Sequence, residues 1–230
     1  VTEMLYPFLY AGGSGLDTLL EDVRRSTADK ANEIVRLRET VLAEYADDLA
    51  ACAARMAGAF RAGGRLFAFG NGGSATDAQD VAALFLNPGG TARPLPALAL
   101  TNDTAAITAL SNDIGFEVVF ARQLAAFGRP GDIAVALSTS GDSDNLIAAL
   151  REASRRGMTA VGLAGCGGGR MAETPGLHHL FVIPSASVHR IQEAQTTVYH
   201  ALWELTQSEL ARSEPAQSEP AQSGTAGEAG

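Results

Sequence analysis

The chain reads as an α/β protein built on a mostly parallel sheet with helices on both faces. Three observations carry that reading. From Arg65 onward, short apolar runs alternate with helical stretches. There are five such runs, and each is bounded by turn residues, as expected of buried strands in a sheet covered on both sides. Turns rich in glycine or serine follow two of them, where ligands of such sheets are held, at the carboxyl ends of strands.

Residues 1–15 form an apolar, glycine-rich lead-in without a clear period. Leu16 to about Arg61 is helical, with Leu16, Leu19, Leu20 and Val23 on one face and Leu49, Cys52, Ala53 and Met56 on another. Ser26-Thr27 and Asp47-Asp48 predict interruptions or N-caps, hence two long helices, and Gly63-Gly64 predicts their end. Such helices exceed what covering a sheet requires, which points to surface shared between subunits.

The first strand is Arg65–Phe69, followed by Gly70-Asn71-Gly72-Gly73 and a helix from about Ser74 to Phe85. Leu95–Leu100 is the second strand, and Asp103–Leu110 and Gly115–Phe127 are helices. Asp132–Leu137 is the third strand, and Ser138-Thr139-Ser140-Gly141-Asp142-Ser143 leads into a helix ending near Gly157. Thr159–Leu163 and Leu177–Ile183 are the last strands, separated by Gly165–Gly169 and a helical turn near Met171. Val188–Leu210 is the final helix. From about Ser208 the composition collapses to Ser, Glu, Pro, Ala, Gln and Gly, with a repeated five-residue unit, which predicts a disordered tail over 208–230. Residues 16–207 are read as a single domain.

A formal net charge of −9 argues against a nucleic-acid backbone or an anionic membrane as the main partner. It leaves room for a small phosphorylated ligand, because loop amides and hydroxyls can hold one without lysine; Lys30 is the only lysine. Cys52 and Cys166 lack metal-ligand spacing, which predicts a reducing cytoplasmic location. The N-terminal run lacks the basic start of a signal peptide, and no stretch is long enough to span a membrane.

Two loops are the chemical candidates. Strand, glycine turn and helix start together offer backbone N–H groups to an anion, which singles out Asn71, Gly72, Gly73 and Ser74. Ser138, Thr139, Ser140 and Ser143 place four hydroxyls at a second strand-to-helix turn, with the helix dipole adding to their pull on a phosphate. The bland alternative is that these serines are caps and turn formers, and Asp142 is awkward beside an anion. Gly70 to Ala75 also fits the G-x-G-x-x-G/A dinucleotide pattern, but an acidic residue at the end of the next strand is displaced to Asp103, so no nucleotide cofactor is expected. A P-loop is excluded, since no Gly-Lys-Ser/Thr occurs.

Gly70-Asn-Gly-Gly-Ser74 with Asp77-Ala-Gln79, Ser138-Thr-Ser-Gly141 with Ser143, and Arg190-Ile-Gln-Glu193 with His200 together resemble the sugar isomerase (SIS) domain family, and more closely its phosphoheptose isomerase branch. Thr108 to Asp113, followed by Gly115-Phe116, fits the same branch and adds Asn112 and Asp113 as substrate contacts. The resemblance spans about residues 20–206. It implies a three-layer α/β/α sandwich on a five-stranded parallel sheet, and a homotetramer with sites at subunit interfaces. It also implies a sugar phosphate gripped by the serine loop, and interconversion of sedoheptulose 7-phosphate with an aldoheptose 7-phosphate through an enediol. That reaction needs a base at the carbon beside a carbonyl and an acid at the oxygen; family enzymes use a glutamate and a histidine, commonly beside zinc.

This chain departs from the pattern on the helix after the first loop. The family's His-x-x-x-Glu, one turn apart on one face, is Asp80 and Leu84 here, and leucine moves no proton. Gln192 and His200 survive, eight residues and a rise of about 12 Å apart, so they meet only by leaning together or from different subunits. His200 is the expected catalytic residue, and Asp80, Gln192 and His200 are the set left for zinc. His189, Glu193 and Glu117 are further candidates for a rearranged site, while His178 and His179 are read as structural. Two functions follow: an isomerase with an altered acid/base set, or a silent sugar-phosphate sensor or protein-binding scaffold, as in a replication-initiator-binding protein of similar sequence. Asp80→His with Leu84→Glu is expected to create or raise isomerisation of sedoheptulose 7-phosphate, followed by NMR. A folded, ligand-binding but inert double variant shows that more than these two positions have diverged.

Overall fold

The computed structural model describes residues 16–212. The lead-in over 1–15 and the tail beyond 212 lie outside the described residues. In order, the elements are α1 (Leu16–Arg61), β1 (Leu66–Gly70), α2 (Gly73–Leu86), β2 (Ala97–Ala99) and α3 (Thr104–Asp113). Then come a 3-10 turn (Phe116–Val118), α4 (Val119–Phe127), β3 (Ile133–Leu137), α5 (Asp144–Arg155) and β4 (Thr159–Gly165). A second 3-10 turn (Gly169–Met171), β5 (His179–Ile183) and α6 (Val188–Arg212) complete the chain.

All four strand pairings are parallel, in the order β2-β1-β3-β4-β5. The strands are apolar because both faces are covered. Leu66 and Ala68 of β1, Val135 of β3 and Val161 of β4 pack with α1, α2 and α6. Phe67 and Phe69, Ala134 and Ala136, and Ala160 face α4 and α5. Alternate residues thus serve opposite layers, and the expected three-layer α/β/α sandwich stands.

The N-terminal region differs from expectation. It is one unbroken helix of 46 residues, not two. Thr27 does not cap: its hydroxyl donates back to the Val23 carbonyl at 2.8 Å, which leaves the helix intact. Asp48 does not cap either; it faces β5 and hydrogen-bonds His179 Nδ1 at 2.7 Å. The second half of α1 packs into the body through Leu49, Cys52, Met56 and Phe60, whereas Leu20, Val23, Val35 and Leu42 are exposed. At the other end, α6 runs to Arg212, past the point where the composition changes.

Smaller differences follow from local chemistry. Asp103 caps α3, accepting from Ala106 N at 2.9 Å. The expected helix over 115–127 begins as a 3-10 turn, with Gly115 at its N-cap at φ +148°, and continues as α4. β5 starts at His179, one residue after His178, whose N–H donates to the Ala160 carbonyl at 2.9 Å and whose Nδ1 accepts from Ala160 N at 3.1 Å. Both histidines hold structure, as read from the sequence. Among the described residues no helix is long and apolar enough to cross a membrane.

Asp132 fixes the entry to the sheet. Its carboxylate, nearly all buried, accepts from Arg65 N at 2.9 Å, from Arg129 N at 2.9 Å and from Arg65 Nη2 at 2.8 Å. Removing it strands two amide donors and a guanidinium. Asp132→Ala is expected to cost about 3 kcal/mol of folding stability, measured by urea denaturation; a loss near zero would show that water replaces the carboxylate.

Candidate sugar-phosphate site

The chain leaves β1 toward β2 on one side and returns to β3 on the other. Crevices form at such reversals, outside the strands' carboxyl ends. In the β1–β3 register Gly70 lies opposite Leu137, so the glycine loop and the serine loop leave the sheet side by side. They are joined across the gap by a reciprocal amide pair: Asn71 Nδ2 donates to Asn145 Oδ1, and Asn145 Nδ2 to Asn71 Oδ1, both at 2.9 Å. A cavity of about 340 Å³ opens there, lined by Asn71, Ser143, Asp144 and Asn145 with Phe116 and Glu117.

The serine loop divides its hydroxyls between building and binding. Ser138, buried, accepts from Gly141 N at 2.9 Å, and Ser140 accepts from Asp142 N at 3.2 Å. These two shape the turn, so the bland reading holds for part of the loop. Ser143 stands at the N-cap of α5, makes no side-chain cap bond and lines the cavity, half-buried, so its hydroxyl is uncommitted to the helix. Thr139 sits between them, half-buried, its carbonyl against Gly165. From behind, the fully buried Gln195 donates from Nε2 to the Ser138 carbonyl at 2.9 Å.

On the glycine loop, Ser74 is buried and its N–H bonds the Asn71 carbonyl at 3.0 Å. Gly72 precedes α2 at φ +56°, a conformation that suits glycine. Gly73 lets Gln192 of α6 come close: a Cβ there would lie 2.3 Å from Gln192 Nε2 and would make that side chain shift. Asn112 and Asp113 end α3 bonded to each other at 2.8 Å, and neither lines the cavity.

The contact of α2 with α6 carries the unusual residues. Asp77, Asp80 and Leu84 recur at helical spacing on one side of α2. Gln192 Nε2 donates to Asp77 Oδ2 at 3.1 Å, and the buried Tyr199 hydroxyl donates to Asp80 Oδ2 at 2.7 Å. Leu84 packs against the core shared by α1, α2 and α6. Asp77 and Asp80 also line an open groove of about 480 Å³ with Thr76, Gln79 and Ala83. Burial pushes the Asp77 carboxyl above the usual carboxylate range; the Gln192 bond opposes this and the nearby Asp80 charge adds to it. The Tyr199 phenol is also pushed up, by burial first and by the Asp80 carboxylate it donates to.

His200 lies half-buried beside Tyr199, the two rings stacked with centroids 5.2 Å apart. Glu193 is tied to Arg190, which also reaches Glu33 of α1, and His189 is exposed. Among the described residues no group of three His, Cys, Asp or Glu is placed to hold a metal ion. The predicted zinc set offers one carboxylate and one imidazole, with Asp80 already accepting from Tyr199 and Gln192 donating to Asp77. Within one chain this falls short of the three His, Cys or carboxylate ligands usual for catalytic zinc.

Sequence reasoning missed Asn145, Tyr199 and Gln195. Asn145 follows the serine loop by two residues and was open to notice there; Tyr199 and Gln195 give no local signal, since only packing brings them to α2 and the loop.

A parallel sheet with two anion-competent loops at its reversal defines a phosphosugar-binding class of fold, and residues 31–165 match the SIS domain family. The chain belongs to that family. It is 50% identical over 177 residues to the phosphoheptose isomerase of Desulfovibrio desulfuricans, covering 76% of this chain and 83% of that one. It is 41% identical over 190 residues to the phosphoheptose isomerase of Aquifex aeolicus, covering 82% and 96%. The solved structure of phosphoheptose isomerase from Neisseria gonorrhoeae aligns with a TM-score of 0.72 at 37% identity, over 83% of this chain and 99% of that chain.

The raised Asp77 carboxyl has a measurable sign. The folded chain binds this proton more tightly than the unfolded chain, so the folded state is favoured at low pH and loses that advantage as pH rises through the raised value. Asp77→Asn is therefore expected to gain stability relative to the parent as pH rises from about 4 toward neutrality. Urea midpoints at a series of pH values check this; a constant difference would place the Asp77 shift elsewhere.

Proposed function

We propose that this chain binds a sugar phosphate in the cavity between its two loops and is a phosphoheptose isomerase-type enzyme with an altered acid/base set. The uncommitted hydroxyl of Ser143, which lines one cavity with Asn71 at the start of α5, carries the binding part. A phosphate there meets hydroxyls and the positive end of α5. The names of the relatives support a seven-carbon sugar phosphate.

Isomerisation takes a proton from the carbon beside the carbonyl and returns one to the neighbouring carbon, while a second proton moves between the two oxygens. Leucine at position 84 takes no part. Asp80 shares that face of α2 with Asp77, and Tyr199 holds it by one oxygen, leaving the other to act as base. Glu117 and Asp144 are the carboxylates on the wall of the cavity itself, whereas Asp80 lines the neighbouring groove on α2. The rival reading, a binder without catalysis, is favoured by one observation: the side chain at position 84 is apolar, partly buried and packed against the core.

The exposed Leu20, Val23, Val35 and Leu42 of α1, and an apolar groove of about 220 Å³ between α1 and α6, support a homo-oligomer, with a tetramer as the expected form. The groove includes Val198 and Ala201, which flank Tyr199 and His200, so a second copy seated there would border the candidate site. A cytoplasmic location is supported by the unpaired Cys52 and Cys166.

Incubation with sedoheptulose 7-phosphate in deuterated water, followed by NMR, separates the readings. Deuterium incorporation and aldose formation above background are expected; ligand-induced stabilisation without exchange would leave the binder. In parallel, Ser143→Ala is expected to weaken sugar-phosphate affinity about tenfold, the scale of one hydrogen bond to a charged group. Unchanged affinity would remove the serine loop from the site.

A further inference from the structure

The serine loop contains a conflict. Asp142 and Asp144 flank Ser143 at the start of α5, the place where the proposed phosphate binds. Two carboxylates there oppose an anion and offset the helix dipole. Asp142 does not cap the helix; both carboxylates are instead held by one residue, Arg170, from the turn after β4.

Arg170 N donates to Asp142 Oδ1 at 2.9 Å. Its Nη2 donates to the Asp142 carbonyl, and also to Asp144 Oδ1 at 2.7 Å. The backbone is arranged to bring this arginine in. Met171 N donates to the Gly141 carbonyl at 2.9 Å. Gly141 has φ +75°, and a Cβ there would lie 2.1 Å from the Gly168 carbonyl. A Cβ on Gly169 would lie 2.5 Å from Asp142 Oδ1. The two segments therefore meet backbone to backbone, and larger residues would separate them. The ion pairs themselves are open to water, with side chains 50%, 58% and 75% exposed for Arg170, Asp142 and Asp144. Exposed pairs of this kind add little to folding. Their consequence lies in the field at Ser143.

We propose that Arg170 is a positioning residue of the phosphate loop: its single positive charge offsets one of the two negative charges of Asp142 and Asp144 and it occupies the Asp142 carbonyl, so that Ser143 and the first amides of α5 can receive an anion. The inference rests on the sugar-phosphate reading of this site. It also explains how a loop in an acidic chain with a single lysine accommodates a phosphate.

The test is calorimetric titration of the full chain with sedoheptulose 7-phosphate and with inorganic phosphate. Arg170→Gln is expected to weaken sugar-phosphate binding on the order of tenfold. Adding Asp142→Asn and Asp144→Asn to that variant is expected to restore affinity to within about twofold of the parent, because coupled neighbours compensate each other. Asparagine keeps the oxygen that accepts from Arg170 N, so the loop's hydrogen bond survives while the charge is removed. Circular dichroism and thermal unfolding confirm that each variant is folded. Unchanged affinity in Arg170→Gln overturns the inference. A triple variant as weak as Arg170→Gln overturns it as well, and assigns the arginine to direct phosphate contact or to packing. If neither phosphate compound binds the parent, the site reading itself fails, and this inference with it; parent binding that Arg170→Gln leaves intact sinks the inference alone.

Discussion

The parallel pairing of β1 with β3 is the constraint on which the rest of the site depends. Their register sets Gly70 opposite Leu137, so both strands end at one level and the two loops emerge as neighbours. Paired strands lie about 5 Å apart, close enough for short side chains to bridge the loops. Asn71 and Asn145 do so with two mutual hydrogen bonds, and this leaves Ser143 beside them at the start of α5. Without that register each loop would be an ordinary turn with its own caps.

Around this centre the other layers act as supports. α6 reaches under the serine loop through Gln195 and across to α2 through Gln192 and Tyr199. The turn after β4 reaches over the loop through Arg170. On α2, Asp80 has a buried tyrosine partner, and Leu84, partly buried, packs against the core. The pair is chemically coherent: the buried Tyr199 hydroxyl needs an acceptor, and the exposed Asp80 carboxylate supplies it.

Much of the fold was legible because its signals are local. Five apolar runs with turn residues between them gave the strands, and Gly70 to Ser74 and Ser138 to Ser143 gave the loops. The error in α1 came from the same local reasoning: Ser26-Thr27 and Asp47-Asp48 carry cap chemistry. Thr27 satisfied its hydroxyl within the helix, and Asp48 satisfied its carboxylate on β5, so neither needed to end anything. In the serine loop the structure adds which hydroxyls also shape the turn. Ser138 and Ser140 are turn formers and Ser143 is not, a division that depends on which hydroxyl the turn consumes.

By itself the sequence determined the α/β class, the two phosphate-competent loops and the absence of a proton-transferring residue at position 84, because each is a property of residue type and spacing. The tertiary structure alone decided the partners: Asn145 for Asn71, Tyr199 for Asp80, Gln192 for Asp77 and Arg170 for the two acidic residues of the serine loop. These pairs lie between 26 and 119 residues apart along the chain. Separations of that size leave no periodic trace in the sequence, and only the sheet register and the helix layers set them within hydrogen-bonding distance.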